Sequence, residues 1–225
     1  MEKQTIPLIE RKMISTAVWT LVVLAVIEII AYQVLFKKIP DFITKYGYYI
    51  ILLVIGVVVN AVAVWHIKAY KRVMPCMTGM MIGMTIGMTS SLSLGMVVGA
   101  VNGMVIGSLA GMILGMSLGA WVGNSCGVMG IMEGMMAGLM GGTMGPMIPL
   151  MALQYALFLI SVVLLGIICI LLGLMYMMYQ EEKVLEEKTP YQGYSFVPFS
   201  IICGIIALIL TFVMVYGPKL AFLVG

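Results

Sequence analysis

The sequence predicts an all-α, polytopic membrane protein, a transmembrane helical bundle of about seven spans with a glycine-zipper core. Three observations lead to this fold class. The 225-residue chain is 63% hydrophobic and only 9% charged, whereas about a quarter of the residues of a soluble domain are charged. The mean hydropathy is +1.15. Small residues also recur at every fourth position through the centre of the chain.

The first predicted unit, residues 1–73, holds two spans and a basic linker. Segment 1 runs from about residue 13 to 36 and is apolar except for Glu28. Segment 2 runs from about residue 46 to 67 and contains Asn60. Both segments are long enough to cross a bilayer, so segment 1 is expected to be a permanent helix rather than a cleaved signal peptide.

The second predicted unit is the Met/Gly-rich membrane core at 74–149. A span needs about 20 residues, so this stretch is too long for one or two ordinary spans. Asn102–Gly103 and Asn124–Ser125 are its best breaks, because Asn-Gly pairs favour tight turns. Thr89-Ser90-Ser91 is a rival break. The resulting segments 3, 4 and 5 lie near residues 75–100, 104–122 and 128–147.

Twelve glycines and one serine stand four residues apart within this core, and we call these positions the glycine row. A residue at every fourth position leaves a groove without side chains on a helix, and such grooves allow close backbone approach in lipid. The row is therefore predicted to pack segments 3 to 5 together, or to pack them against other copies of the chain. It comprises Gly79, Gly83, Gly87, Ser91, Gly95, Gly99, Gly103, Gly107, Gly111, Gly115, Gly119, Gly123 and Gly127. After a slip of one residue the same spacing resumes in segment 5 at Gly130, Gly134, Gly138 and Gly142.

The third predicted unit, residues 150–225, holds segments 6 and 7 with a hydrophilic, acidic loop between them at 180–194. With seven spans and the N-terminus inside, the inner loops carry eight Lys and Arg residues and the outer loops carry four. The positive-inside rule then favours a cytoplasmic N-terminus and an external C-terminus.

Methionine is the second unusual feature of the chain, because 18 of its 24 methionines lie between Met74 and Met151. Thioether sulfur is a soft ligand that prefers Cu(I) to hard cations. Rows of weak sulfur sites would suit conduction of such an ion. Flexible, apolar methionines that fill gaps beside glycine grooves are the alternative interpretation. The rows proposed as metal ligands are Met80, Met84 and Met88, and Met132, Met136 and Met140.

Two carboxylates are predicted inside spans, where charged groups are costly and often mark ion pathways. Glu133 is the only charged residue between Met74 and Met151, and methionines surround it at helical spacing. It is a candidate metal ligand or gate, with a partly solvated residue near a helix end as the alternative. Glu28 lies deep in segment 1 and is either a polar clamp, with Asn60 as a candidate partner, or part of an ion or proton path.

Several functional classes lack their sequence signatures. No basic run interleaved with aromatics suggests nucleic-acid binding, and the net charge is only +3. No Ser-His-Asp, HExxH, phosphate-loop or paired-carboxylate pattern occurs, so no enzyme is predicted. The four cysteines form no CxxC pair, and the single histidine, His66, is expected to be an interfacial anchor.

The stretch from Gly130 to Met147 resembles the Met/Gly repeats of small, uncharacterised prokaryotic membrane proteins, some of which are suspected of heavy-metal roles. The pairing of MxxxM with GxxxG is also similar to the pattern of eukaryotic copper transporters of the Ctr type. By this resemblance, Met80, Met84 and Met88 of this chain would correspond to the thioether row of those transporters. The chain differs from Ctr proteins in having about seven spans rather than three. The resemblance implies a prokaryotic cell membrane and a soft-metal role.

Three functional hypotheses follow from these patterns. The first is a Cu(I) or Ag(I) transporter or channel that uses the methionine rows and Glu133. The second is a non-catalytic structural subunit whose glycine face packs a homo-oligomer or a larger membrane complex. The third is a cation- or proton-coupled carrier that uses Glu28 and Glu133.

Overall fold

The computed structural model describes residues 42–70, 76–185 and 196–217, together with the isolated positions 19, 22, 23 and 26. These ranges contain helices joined by short turns and no strand. Predicted segment 1 and its Glu28 lie outside the described residues, apart from those isolated positions.

The described helices follow the predicted segments closely, which confirms an all-helical fold. We number them in chain order: α1 Phe42–Tyr70, α2 Cys76–Asn102, α3 Met104–Gly123, α4 Gly127–Met144, α5 Met147–Ala152, α6 Ala156–Leu185 and α7 Phe196–Tyr216. Single 3-10 turns, Asn124–Cys126 and Leu153–Tyr155, precede α4 and α6.

Five stretches within the described ranges are long and apolar enough to cross a bilayer: Tyr46–Ile67, Cys76–Asn102, Met104–Gly123, Gly127–Ala152 and Ala156–Met178. The apolar stretch Ile201–Tyr216 of α7 is shorter than a full span. The chain is thus consistent with an integral membrane protein. The expected total of about seven spans stays a prediction.

The breaks between α2, α3 and α4 lie at the predicted asparagines. Gly103, which separates α2 from α3, has φ 88°, and Gly127, which begins α4, has φ 70°. Both values fall in the left-handed region that glycine adopts without strain. These two members of the glycine row therefore form turns. Gly127 is exposed, and a Cβ added to it would meet nothing within 4 Å.

The rival break at Thr89-Ser90-Ser91 is not used, because α2 continues through it. The hydroxyls bond back to carbonyls of the preceding turn instead of opening the helix. Thr89 Oγ1 donates to the Thr85 carbonyl at 2.8 Å, and Ser90 Oγ donates to the Ile86 carbonyl at 2.6 Å.

Helices α2 and α3 run antiparallel with their backbones in contact. A Cβ built on Gly83 would lie 2.9 Å from Gly123 Cα, and one built on Gly107 would lie 2.5 Å from Gly99 Cα. These two pairs mark opposite ends of the contact. Because the blocking atoms belong to the backbone, the helices approach too closely for any larger residue at these positions.

Helix α4 completes a three-helix unit by packing antiparallel to α3 and parallel to α2. A Cβ on Gly138 would lie 2.7 Å from the Gly115 carbonyl oxygen, and one on Gly111 would lie 3.1 Å from Gly142 Cα. A Cβ on Gly87 would lie 2.6 Å from the Gly134 carbonyl oxygen. The interior of the unit is therefore largely backbone, and long side chains are directed away from it.

Helix α2 is the centre of the bundle and the most buried of the five spans. It contacts α1, α6 and α7 on the side away from α3 and α4. Apolar side chains fill that second layer, among them Leu53, Ile86, Val97, Ile160 and Met214. The bundle thus has a glycine-packed half and a half packed in the ordinary way by branched side chains.

Two buried amides attach α2 to the outer helices. Asn60 of α1 donates to Ser93 Oγ at 2.8 Å and to the Gly56 carbonyl at 2.7 Å. Asn102 at the end of α2 donates to the Val213 carbonyl of α7 at 3.0 Å. The partner of Asn60 in the described residues is therefore Ser93, and its expected contact with Glu28 stays a prediction.

Candidate metal-binding surface

The two predicted methionine rows lie on α2 and α4, which are parallel neighbours. Five of the six side chains are exposed, and Met80 is partly buried. The exposed fractions are 49% for Met84, 38% for Met88, 62% for Met132, 61% for Met136 and 50% for Met140. In a membrane protein these side chains face lipid or another protein chain.

The rows run side by side at the same level. Ser91 contacts Gly141, so a residue of α2 lies beside the residue about fifty positions later on α4. A Cβ on Gly141 would also lie 2.7 Å from the Met88 carbonyl oxygen and 3.3 Å from Met88 Cα. The backbone of Met88 is therefore part of the α2–α4 contact line, which we call the seam.

The side chains beside the seam can be assigned from helical spacing. Met84 lies one turn before Met88 on α2 and shares its face. On α4, Met140 directly precedes the contact residue Gly141, and Glu133 lies two turns before Met140 on the same face. Both edges of the seam therefore carry thioethers, and one edge also carries a carboxylate.

Met132 and Met136 lie farther round α4, on the side opposite its glycines. They share this outer face with Met129, which is also exposed. The structure thus places Met84, Met88, Met140 and Glu133 along one line and places Met132 and Met136 beside that line. The six proposed ligands do not converge on one point.

Glu133 is half-buried on α4 and interacts electrostatically with Cys126, which lies just before the start of that helix. The sequence contains no Lys, Arg or His between Arg72 and Lys183. The carboxylate therefore has no basic neighbour on α2, α3 or α4 that could neutralise it. A cation near the seam would meet this carboxylate in an apolar surface.

A second feature at this end of the seam was not predicted from the sequence. The Cys126 thiol donates to the carbonyl of Cys76, the first residue of α2, and the Cys76 thiol lies 3.7 Å from the Cys126 carbonyl oxygen. Desolvation and then the neighbouring Cys76 raise the pKa of Cys126 to about 11, so its free form is a protonated thiol at neutral pH. The two cysteines are 50 residues apart in the sequence, which matches the α2–α4 register. This register could not be predicted from the sequence.

The other candidate groups do not join this surface. His66 is buried in α1, and its expected role as an interfacial anchor stays a prediction. Cys169 is exposed on α6 and Cys203 is buried on α7. Within the described residues, no three His, Cys, Asp or Glu side chains form a cluster of the kind that holds a hard or borderline metal.

Comparisons of the chain with protein-family models, characterised proteins and solved structures find no match. The functional assignment accordingly depends on the geometry of the chain itself.

Proposed function

We propose that this protein binds and conducts a soft monovalent metal ion, Cu(I) or Ag(I), along the α2–α4 seam. The observation that carries the proposal is the joint presence of Met84, Met88, Met140 and Glu133 beside one helix–helix contact line. Thioethers select soft ions and bind each one weakly, while the carboxylate supplies the charge that favours a cation in an apolar surface. The proposal contains no catalytic step.

The glycine row supports this arrangement. We infer that it acts as a glycine zipper in the bilayer, where close backbone packing takes the place of the hydrophobic effect as the force between helices. Backbone contact fills most of the interior of the α2–α3–α4 unit. The exposed thioether side chains of α2 and α4 therefore lie on the outside of the unit.

A conducting path along such an outer surface needs a second protein surface that separates the ion from lipid. We propose that two copies of the chain supply it, with the exposed methionines of α4 in one copy facing those in the other. Met129, Met132 and Met136 are exposed, apolar and adjacent on that helix, which suits such an interface. We retain the predicted prokaryotic cell membrane and the inside N-terminus as parts of the proposal.

Uptake of Ag(I) into proteoliposomes tests the metal path. The variant replaces six methionines by leucine, which keeps the apolar volume and removes the sulfur: Met80, Met84, Met88, Met132, Met136 and Met140. We expect uptake to fall to the level of protein-free vesicles, because leucine cannot coordinate the ion.

A control replaces five methionines away from the seam, at Met104, Met116, Met151, Met175 and Met177, and should keep wild-type uptake. Uptake that survives loss of the six methionines of the two rows would remove the metal path. That result would favour the second hypothesis, a structural subunit, because this hypothesis predicts that methionine-to-leucine changes have little effect.

The structural hypothesis needs a different surface from the one first expected. The glycines of α2, α3 and α4 contact backbone of the same chain, as Gly107 does at Gly99 and Gly111 does at Gly95. Leucine at Gly107 or Gly111 would therefore disrupt the fold of the chain before any assembly. The carrier hypothesis depends partly on Glu28, which lies outside the described residues, and partly on Glu133.

A further inference from the structure

Cys76 and Cys126 meet at one end of the α2–α4 seam, where each thiol approaches the main-chain carbonyl of the other residue. The two side chains also interact directly with each other. Cys76 is exposed and Cys126 is partly exposed, so the pair can be reached from outside the bundle. Cys126 belongs to the short turn between two spans, which places the pair at a membrane boundary.

We propose that Cys76 and Cys126 form a two-coordinate thiolate site for Cu(I) or Ag(I) at the mouth of the methionine rows. The choice of ion rests on the proposed function, whereas the site itself rests on the contacts that each thiol makes with the main-chain carbonyl of the other residue. Soft thiolates select Cu(I), and two sulfur ligands suffice for an ion of this class, so the missing third ligand is no obstacle.

The positions of the two cysteines continue the methionine rows. Cys76 precedes Met80, Met84 and Met88 at the same four-residue spacing along α2. Cys126 lies in the turn directly before α4, the helix that carries Glu133 and Met140. An ion released from the thiolates would therefore reach thioethers on one helix and the carboxylate on the other.

The binding reaction involves no change of oxidation state. Each thiol transfers its proton to solvent, and two sulfur–metal bonds form, so one Cu(I) replaces two protons and the site gains one negative charge. The site therefore binds tightly through its two thiolates, whereas the thioethers beyond it bind weakly, as an intake site followed by a conducting row requires.

The test is an anaerobic titration of reduced, detergent-purified full-length protein with Cu(I), in competition with a coloured Cu(I) chelator. Wild type should retain one equivalent per chain, and X-ray absorption should show two sulfur neighbours. Cys76→Ser, Cys126→Ser and the double variant should each weaken binding by at least about 100-fold, since loss of supporting groups outside a metal's ligand shell already costs up to that much.

Control variants separate this site from the methionine path. Cys169→Ser with Cys203→Ser should keep the tight equivalent, and so should the variant with six leucines in the methionine rows. The inference is overturned if wild type retains no equivalent, if the Cys76→Ser/Cys126→Ser protein retains it, or if mass spectrometry finds the two cysteines joined as a disulfide under these reducing conditions. Ag(I) uptake that persists alongside any of those results would leave the proposed function standing.

Discussion

Replacing Gly87 by alanine is expected to destabilise the α2–α3–α4 unit by about 3 kcal/mol or more, at the upper end of overpacking effects. The new Cβ would lie 2.6 Å from the Gly134 carbonyl oxygen, 3.3 Å from Gly119 Cα and 3.4 Å from Gly138 N. These atoms belong to the backbones of both neighbouring helices. They cannot rotate away as a side chain would, so the helices must separate.

Gly95→Ala is the matched control, two turns along the same helix and in the same row. There the nearest atoms to an added Cβ are the Gly107 carbonyl oxygen at 3.4 Å, Gly111 Cα at 3.5 Å and Pro146 Cδ at 3.5 Å. These are ordinary van der Waals contacts. Alanine should therefore be tolerated, with its better helix propensity in its favour.

Unfolding free energies in detergent, titrated with a denaturing surfactant, would compare the two variants. The expected order of stability is Gly95→Ala close to wild type and Gly87→Ala well below both. Equal losses at the two sites would contradict the described packing, because the four-residue period alone treats Gly87 and Gly95 alike. Wild-type stability in Gly87→Ala would contradict the close approach of all three helices.

The difference between Gly87 and Gly95 also shows which part of the helix packing the sequence can predict. The period of four predicts that helices approach closely, but every shift by four residues gives an equivalent groove. The pairing of Gly83 with Gly123 and of Ser91 with Gly141 is set by the turns at Gly103 and Gly127, which hold the three helices in one register. The asparagines before those turns were readable in the sequence, whereas the register was not.

Serine and threonine were the ambiguous residues. Thr89-Ser90-Ser91 suggested a break because these side chains favour turns, yet the same hydroxyls satisfy helical carbonyls inside an apolar bundle. Ser93 was overlooked for a related reason. A serine in a span has no distinctive pattern, and its role as the partner of Asn60 becomes visible only when α1 and α2 are side by side.

Methionine placement was the least predictable property. Met77 and Met96 belong to the same helix, but Met77 is exposed whereas Met96 is fully buried. The end of α2 near Met96 also lies against α5, since the main chain of Met96 contacts Gly145 just before that helix. Burial of a flexible apolar side chain depends on such neighbours, which composition does not specify.

Glu133→Gln is expected to raise the Ag(I) concentration for half-maximal uptake by about 100-fold. At roughly 5 Å and an effective dielectric constant of about 20, a carboxylate attracts a monovalent cation by on the order of 3 kcal/mol, and this energy corresponds to about two powers of ten in affinity. Glutamine keeps the size and removes the charge. The fold should be unaffected, because a neutral side chain costs less than a carboxylate in an apolar surface.

Glu133→Asp is the control, because it keeps the charge on a side chain one methylene shorter. Its half-maximal Ag(I) concentration should stay within about tenfold of wild type, since Coulomb attraction falls only gradually with distance. If glutamine leaves uptake unchanged, Glu133 is a partly solvated residue near a helix end and the ion passes without it. If glutamine preserves uptake but removes its dependence on a pH gradient, the carboxylate carries protons and the coupled-carrier hypothesis replaces the channel. Glu133 is assigned to the cation itself only if uptake requires the negative charge. In that case the aspartate variant keeps uptake near the wild-type level and the glutamine variant does not.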